Sequence, residues 1–102
     1  MTAKTTQIRI NARMAEAVDA AELLVIDSVL ERLWAELGLS KSSLASYRRD
    51  LMALSRFLGQ RQLRLDEAMQ TDLFDFLSWR VGQGYVAKSN ARMLSSLRAF
   101  YR

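Results

Sequence analysis

The 102-residue sequence contains no cysteine and no histidine. The first absence excludes disulfides, thiolate metal sites and cysteine nucleophiles. The second removes the commonest general base and the commonest metal ligand, and so argues against a metalloenzyme or a serine–histidine hydrolase. Proline is also absent, and only four glycines occur, Gly38, Gly59, Gly82 and Gly84. Long apolar runs are missing: the longest stretch without a charge is seven residues, Val81 to Ala87, whereas a membrane span needs about 20 apolar residues. The segment from Met1 to Arg13 has no apolar block of the secretory kind. It carries Lys4, Arg9 and Arg13 with no acid, a composition that a transit peptide shares. The chain is read as cytoplasmic, with no membrane contact.

Half of the residues are hydrophobic (50%) and a quarter charged (25%), which is the composition of a globular chain. The length suits one domain. The glycines fall where helices should end, so the expected fold is all-α, with four helices behind an N-terminal extension. The extension, residues 1–20, is polar and threonine-rich at its start and is expected to be partly disordered. The first helix is expected from about Ala21 to Leu37, with Leu23, Ile26, Leu30, Leu33, Trp34 and Leu37 on one face and Gly38 as its stop. Ser40 is the expected N-cap of the second helix, Lys41 to Leu58. Its stripe is Leu44, Tyr47, Leu51, Leu54 and Leu58, and Gly59 closes it.

Leu65 to Met69 suits a short extra turn. Thr71 is expected to cap the third helix, which runs to Val81 and buries Leu73, Phe74, Phe76, Leu77 and Val81. Gly82 to Gly84 form the next break. The fourth helix starts near Ala87 or Lys88 and has no terminator before Arg102, as expected of a piece of a longer protein. The aromatic residues are assigned mainly to the core, with Trp34 and Trp79 as half-buried anchors between helices and the methionines as filler.

Net charge is +4, and its distribution carries more information than its sum. Residues 41–64 hold six basic and one acidic residue, and residues 87–102 hold four basic and none acidic. Residues 1–40 and 65–86 are net acidic. On a helical wheel, Lys88, Arg92, Ser95, Arg98 and Arg102 lie opposite Met93, Leu94, Leu97, Phe100 and Tyr101. Lys41, Arg48, Arg49 and Arg56 lie off the leucine stripe, and Asp50 is the single acid able to neutralise one of them. Like charges four residues apart, as in Lys88 with Arg92, repel by about 0.2–0.5 kcal/mol per pair. A face that accepts this cost suits phosphates, and an ordinary basic surface explains the same composition equally well. Ser40, Ser42 and Ser43, and Lys88, Ser89 and Asn90, stand at helix starts, where serines cap and free N–H groups accept anions. Asn90 and Arg92 have side chains that suit base edges, although the wheel puts Asn90 near the apolar side.

The run Ser42-Ser43-Leu44-Ala45-Ser46-Tyr47-Arg48-Arg49-Asp50-Leu51 resembles the start of the core-binding domain of tyrosine recombinases, the phage-integrase family. Asp72-Leu73 with Phe76-Leu77 resembles that family's third-helix pattern. Ser89-Asn90-Ala91-Arg92-Met93-Leu94-Ser95-Ser96-Leu97-Arg98-Ala99-Phe100-Tyr101 resembles its fourth. The resemblance covers about Leu23 to Arg102 and is closest to XerD-like bacterial members, which resolve chromosome dimers. Residues 1–20 depart from it, being longer than expected before the first helix.

The resemblance implies a four-helix, SAM-like orthogonal bundle over residues 21–102, whose second and fourth helices face the major groove of duplex DNA. It implies that the catalytic residues, including the tyrosine nucleophile, lie in a second domain absent from this chain. No catalytic residue, metal or cofactor is therefore assigned. By resemblance the candidate DNA contacts are Lys41, Ser43, Tyr47, Arg48, Lys88, Ser89, Asn90, Arg92 and Ser95. Arg49 and Arg98 join them on charge and wheel position. Tyr47 also belongs to the apolar stripe, which favours the core. The implied partners are duplex DNA and other recombinase subunits, as tetramers on two sites, with the acidic first and third helices free for contacts between subunits. The rival readings are a helical protein–protein interaction module and a non-specific architectural DNA binder. An independent enzyme ranks last. Arg92→Ala and Arg48→Ala are expected to weaken DNA binding with little loss of stability, and equilibrium unfolding beside a binding assay measures both.

Overall fold

Three of the four helices begin on a side-chain hydrogen bond, and each ends on backbone bonds. The computed structural model describes residues 18–101, so the expectation for the N-terminal extension falls almost wholly outside the described residues. Helix α1 spans Ala20–Leu37. Asp19 caps it, its carboxylate accepting from the Ala21 N–H at 3.2 Å. Gly38 ends it in the left-handed conformation (φ 64°) and donates its N–H to the Trp34 carbonyl. Helix α2 spans Lys41–Gln60, and the Ser40 hydroxyl accepts from the Ser43 N–H at 3.1 Å. A short 3-10 turn, Leu65–Glu67, leads to α3, Gln70–Gly82. Helix α4 spans Ala87–Phe100. Among the described residues there is no strand, and no helix is long and apolar enough to cross a membrane.

The helix ends correct the sequence reading in four places. Helix α2 runs straight through Gly59. Its stop is at Gln62, which takes the left-handed conformation (φ 60°). There the Gln62 N–H bonds the Gly59 carbonyl and the Leu63 N–H bonds the Leu58 carbonyl, the paired bonds of a Schellman motif. The same pair recurs after α3, where Gly84 (φ 94°) is left-handed, Gly84 bonds Val81 and Tyr85 bonds Arg80. Gly82 therefore belongs to the helix. Thr71 is not the cap of α3: the helix starts one residue earlier, and the Asp72 carboxylate accepts from the Met69 N–H at 2.9 Å. An acid in the third position satisfies an otherwise free amide. Helix α4 stops at Phe100, with Tyr101 as its C-cap.

The core is Ile26, Leu30 and Leu33 from α1, Leu51, Leu54, Phe57 and Leu58 from α2, Leu65, Phe76 from α3, and Met93, Leu97 and Phe100 from α4. Helix α2 is the hub, packing against α1, α3, α4 and the 3-10 turn, while α3 also packs on α4. Phe57, Phe76 and Trp79 form an aromatic cluster with centroids 5.2–6.2 Å apart. Trp79 is half-buried as expected. Trp34, Phe74 and Val81 are not buried, with 57%, 57% and 63% of their surfaces exposed. Each lies at the edge of its helix's apolar stripe, and the packed stripe is narrower than the apolar one. Of the methionines, Met93 is core, Met52 packs against it, and Met69 is exposed.

Two polar side chains tie the 3-10 turn to the bundle. Glu22 extends the α1 stripe by one turn and is buried. It accepts from the Leu65 N–H at 2.9 Å and the Ser55 hydroxyl at 3.4 Å. The Tyr101 hydroxyl donates to the Leu65 carbonyl at 2.7 Å. Burial raises the Tyr101 phenol above its usual range, which keeps it a donor. Both backbone groups of fully buried Leu65 are thereby satisfied, one from α1 and one from the end of α4.

Two stability outcomes follow from this packing. Leu51→Ala, at a site 1% exposed, should cost about 2–5 kcal/mol. Gln62→Gly should raise stability by about 0.5–1 kcal/mol, because relief of the left-handed penalty exceeds the chain entropy that glycine adds. Urea unfolding of both variants against the parent measures the two effects.

Candidate nucleic-acid interface

The basic helices α2 and α4 meet through an acid. Asp50, 4% exposed, accepts from both terminal nitrogens of Arg92 at 3.1 Å and from the Ser96 hydroxyl at 2.6 Å. The sequence offers α4 no acid of its own, and the structure supplies one from α2. The side-chain bonds between the two helices centre on Asp50, which meets Arg92 and Ser96 one turn apart on α4. At about 100° per residue, the core residues of both helices fall to the same side of this contact. The other side of both opens to solvent on one face.

That face carries Ser42, Ala45 and Arg49 from α2 and Lys88, Ala91, Arg92 and Ser95 from α4, all exposed. Arg56 borders it, half-buried, with desolvation pulling its guanidinium down from the usual range. Small residues between the bases leave the helix backbones approachable. No carboxylate among the described residues forms an ion pair with Arg49 or Lys88. Such a face can accept a polyanion along both helices at once.

The sequence-derived candidates divide on this geometry. Arg49, Lys88, Arg92 and Ser95 share the face, and Arg49 also donates to Ser46 at 3.2 Å. Arg48 turns toward α1 and pairs with Asp27 at 2.9 Å, and that hydrogen bond holds its guanidinium above the usual range. Lys41 lies on the same flank of α2 as Arg48. Arg98 lies on the other flank of α4, lining a groove of about 420 Å³ with Leu73, Phe74, Leu77 and Leu94. Tyr47 packs against the core, as its place in the stripe favours. The Ser43 hydroxyl accepts from Ser40 within the α2 cap.

Ser89 and Asn90 are half-buried and both accept from Arg80, at 3.0 and 2.9 Å. Arg80 was missed by sequence reasoning. It stands in an acidic helix, in the last turn, where a cation ordinarily complements the helix dipole in water. The signal available was its position just before a paired-glycine break, which brings the end of α3 against the start of α4.

The pairing changes what substitutions do. Arg92→Ala leaves the buried Asp50 carboxylate with one hydroxyl partner and should cost about 1–3 kcal/mol. The sequence expectation that stability is spared is corrected there, because the partner is buried. Arg48→Ala breaks an exposed pair and should cost only about 0.2–1 kcal/mol. Denaturant unfolding of the two single variants measures the contrast.

Comparison with known proteins agrees with this architecture. The model of the family described as phage integrase, N-terminal SAM-like domain, matches residues 26–102. The chain is 45% identical over 78 residues to the tyrosine recombinase XerD of Pseudomonas aeruginosa, which covers 76% of this chain and 26% of that protein. It is 42% identical over 93 residues to the XerD of Xanthomonas campestris pv. campestris, covering 91% and 29%. Against that of Xanthomonas axonopodis pv. citri it is 46% identical over 84 residues, covering 79% and 27%. The chain thus spans between a quarter and a third of the length of these relatives. No solved structure matches it. With the family match running from the middle of α1 to the end of the chain, the protein belongs to the N-terminal SAM-like domain family of the phage integrases.

Proposed function

We propose that this domain binds one half-site of duplex DNA and holds it for strand exchange by a catalytic domain of the longer protein. The single observation that carries this reading is the shared face of α2 and α4. Its exposed bases, Arg49, Lys88 and Arg92, stand among small side chains, and the one nearby acid, Asp50, is buried beneath. Two neighbouring basic helices presenting such a face suit a major groove, which admits a helix and displays phosphates at both rims.

In this reading Arg49, Arg56 and Lys88 meet phosphates, and Arg92 and Ser95 lie nearest the base edges. Lys41 and Arg98, on the flanks, meet the backbone further out, while Arg48 is held by Asp27. Residues 21–102 form the core-binding domain. The names of its relatives support a parent tyrosine recombinase; in this reading it acts in chromosome-dimer resolution or integration, on DNA and with other recombinase subunits in the cytoplasm. Cutting and rejoining through a phosphotyrosine belongs to the longer protein, and no cofactor enters.

Binding to a duplex carrying a dimer-resolution-type site and to a scrambled duplex, each at several salt concentrations, tests the reading. With about five phosphates contacted, log affinity should fall against log salt with a slope of about −4 to −5. A preference for the site is expected. Equal binding to both duplexes would point to a non-specific architectural role. No binding at low salt by folded protein would overturn the proposal in favour of a protein–protein module. Arg49→Ala and Lys88→Ala should each reduce the slope by about one, with melting unchanged.

A further inference from the structure

Helix α4 begins without a side-chain cap: Val86 stands at the N-cap position and has no group to accept from the first turn. Something else must fix the turn that carries Lys88. Arg80, in the last turn of α3, is 4% exposed. Its Nε donates to Asn90 Oδ1 at 2.9 Å and its Nη2 to Ser89 Oγ at 3.0 Å. Its guanidinium lies over the Tyr85 ring, 3.9 Å from the centroid. Its carbonyl accepts from the Tyr85 N–H, closing the turn between the helices. Asn90 is held from its other end too, donating to the Tyr85 carbonyl at 3.3 Å. One residue thus holds the end of α3, the connecting turn and the first turn of α4.

We propose that Arg80 is a positioning residue for the DNA face, acting through Ser89 and Asn90 rather than touching DNA, an inference that rests on the DNA-binding reading. The planar fork of a guanidinium suits two acceptors on adjacent residues in a way that a lysine ammonium does not. Buried under Tyr85, Arg80 has no exposed surface to offer a phosphate. Asn90, with its carbonyl and amide ends both engaged, is occupied as a base reader. Its place in the site is to transmit the position of Arg80 to Lys88 and Arg92, which lie one turn of helix apart on the open face.

The test combines Arg80→Met, Arg80→Lys and Asn90→Ala. Amide hydrogen exchange of the free domain should show protection lost at Asn90, Ala91 and Arg92 in Arg80→Met while the core of α2 stays protected. Duplex affinity should fall about tenfold in Arg80→Met, with the salt slope unchanged. Arg80→Lys should not restore it, and Arg80→Met combined with Asn90→Ala should be no weaker than either alone. A salt slope reduced by about one, with affinity restored by lysine, would overturn the proposal and make Arg80 a direct phosphate contact. Unchanged exchange at the start of α4 would overturn it whether or not the domain binds DNA. Should Arg80→Met fail to fold, Asn90→Ala read by the same exchange decides. Failure of the parent domain to bind duplex would strike the DNA reading, leaving the exchange result to judge the positioning role.

Discussion

The joint between α2 and α4 rests on one buried carboxylate. Residues 41–64 and 87–102 are each strongly basic, and two such helices laid side by side repel unless a counter-charge lies between them. Asp50 is that charge, placed at the crossing and bonded to Arg92 and Ser96 of α4. Burial keeps salt from screening it as it screens the exposed bases. The acid therefore lets two positive faces become neighbours, and their neighbourhood makes a field that neither helix has alone. It also sets the register, because an aspartate bonded to a guanidinium and a hydroxyl one turn apart tolerates no slip along α4.

Glu22 plays a parallel part on the other side of the bundle. Most of the core is leucine, with phenylalanine and a methionine, and such side chains exchange places at small cost. A carboxylate that must receive the Leu65 N–H and the Ser55 hydroxyl cannot. Together with the Tyr101 hydroxyl on the Leu65 carbonyl, it ties α1, the 3-10 turn and the end of α4 to one arrangement. Among the described residues no buried side-chain polar atom lacks a partner. These joints are fully satisfied, the condition under which buried polar groups specify a structure instead of weakening it.

Much of this was legible in the sequence, and the failures share a cause. Four helices, the caps at Ser40 and Gly38, and the buried stripe of α2 follow from local chemistry. The basic character of α2 and α4 follows from counting. What periodicity does not contain is the width of the packed stripe, so Phe74, expected buried, and Trp34, expected half-buried, both lie mostly exposed. Nor does it contain partners far along the chain. Asp50 with Arg92, Glu22 with Leu65, and Arg80 with Ser89 and Asn90 join residues 9 to 43 positions apart. The wheel therefore groups Arg48 with Arg49 as two equivalent bases, although one is spent on Asp27 of α1 and the other has no carboxylate partner among the described residues. The stop of α2 was misplaced for a different reason. Glycine marks the usual left-handed residue, and here Gln62 takes that conformation with the same pair of backbone bonds.

The difference between a spent and a tethered arginine bears on how such a face would read DNA. Arg92 keeps 48% of its side chain exposed while both terminal nitrogens bond Asp50. Each of those nitrogens carries two hydrogens, and the guanidinium has five donors in all, so the pair leaves donors pointing outward. A free arginine side chain loses up to about 2 kcal/mol of rotamer entropy on being fixed, and Arg92 has lost much of that on folding. Asp50 thereby converts the arginine at the centre of the face into a pre-set donor, the condition that favours a directional contact over a diffuse one. Lys88 and Arg49, without carboxylate partners, retain the freedom that suits phosphates on a flexible rim. On the proposed reading, the domain's acids decide which of its bases carry direction and which carry only charge.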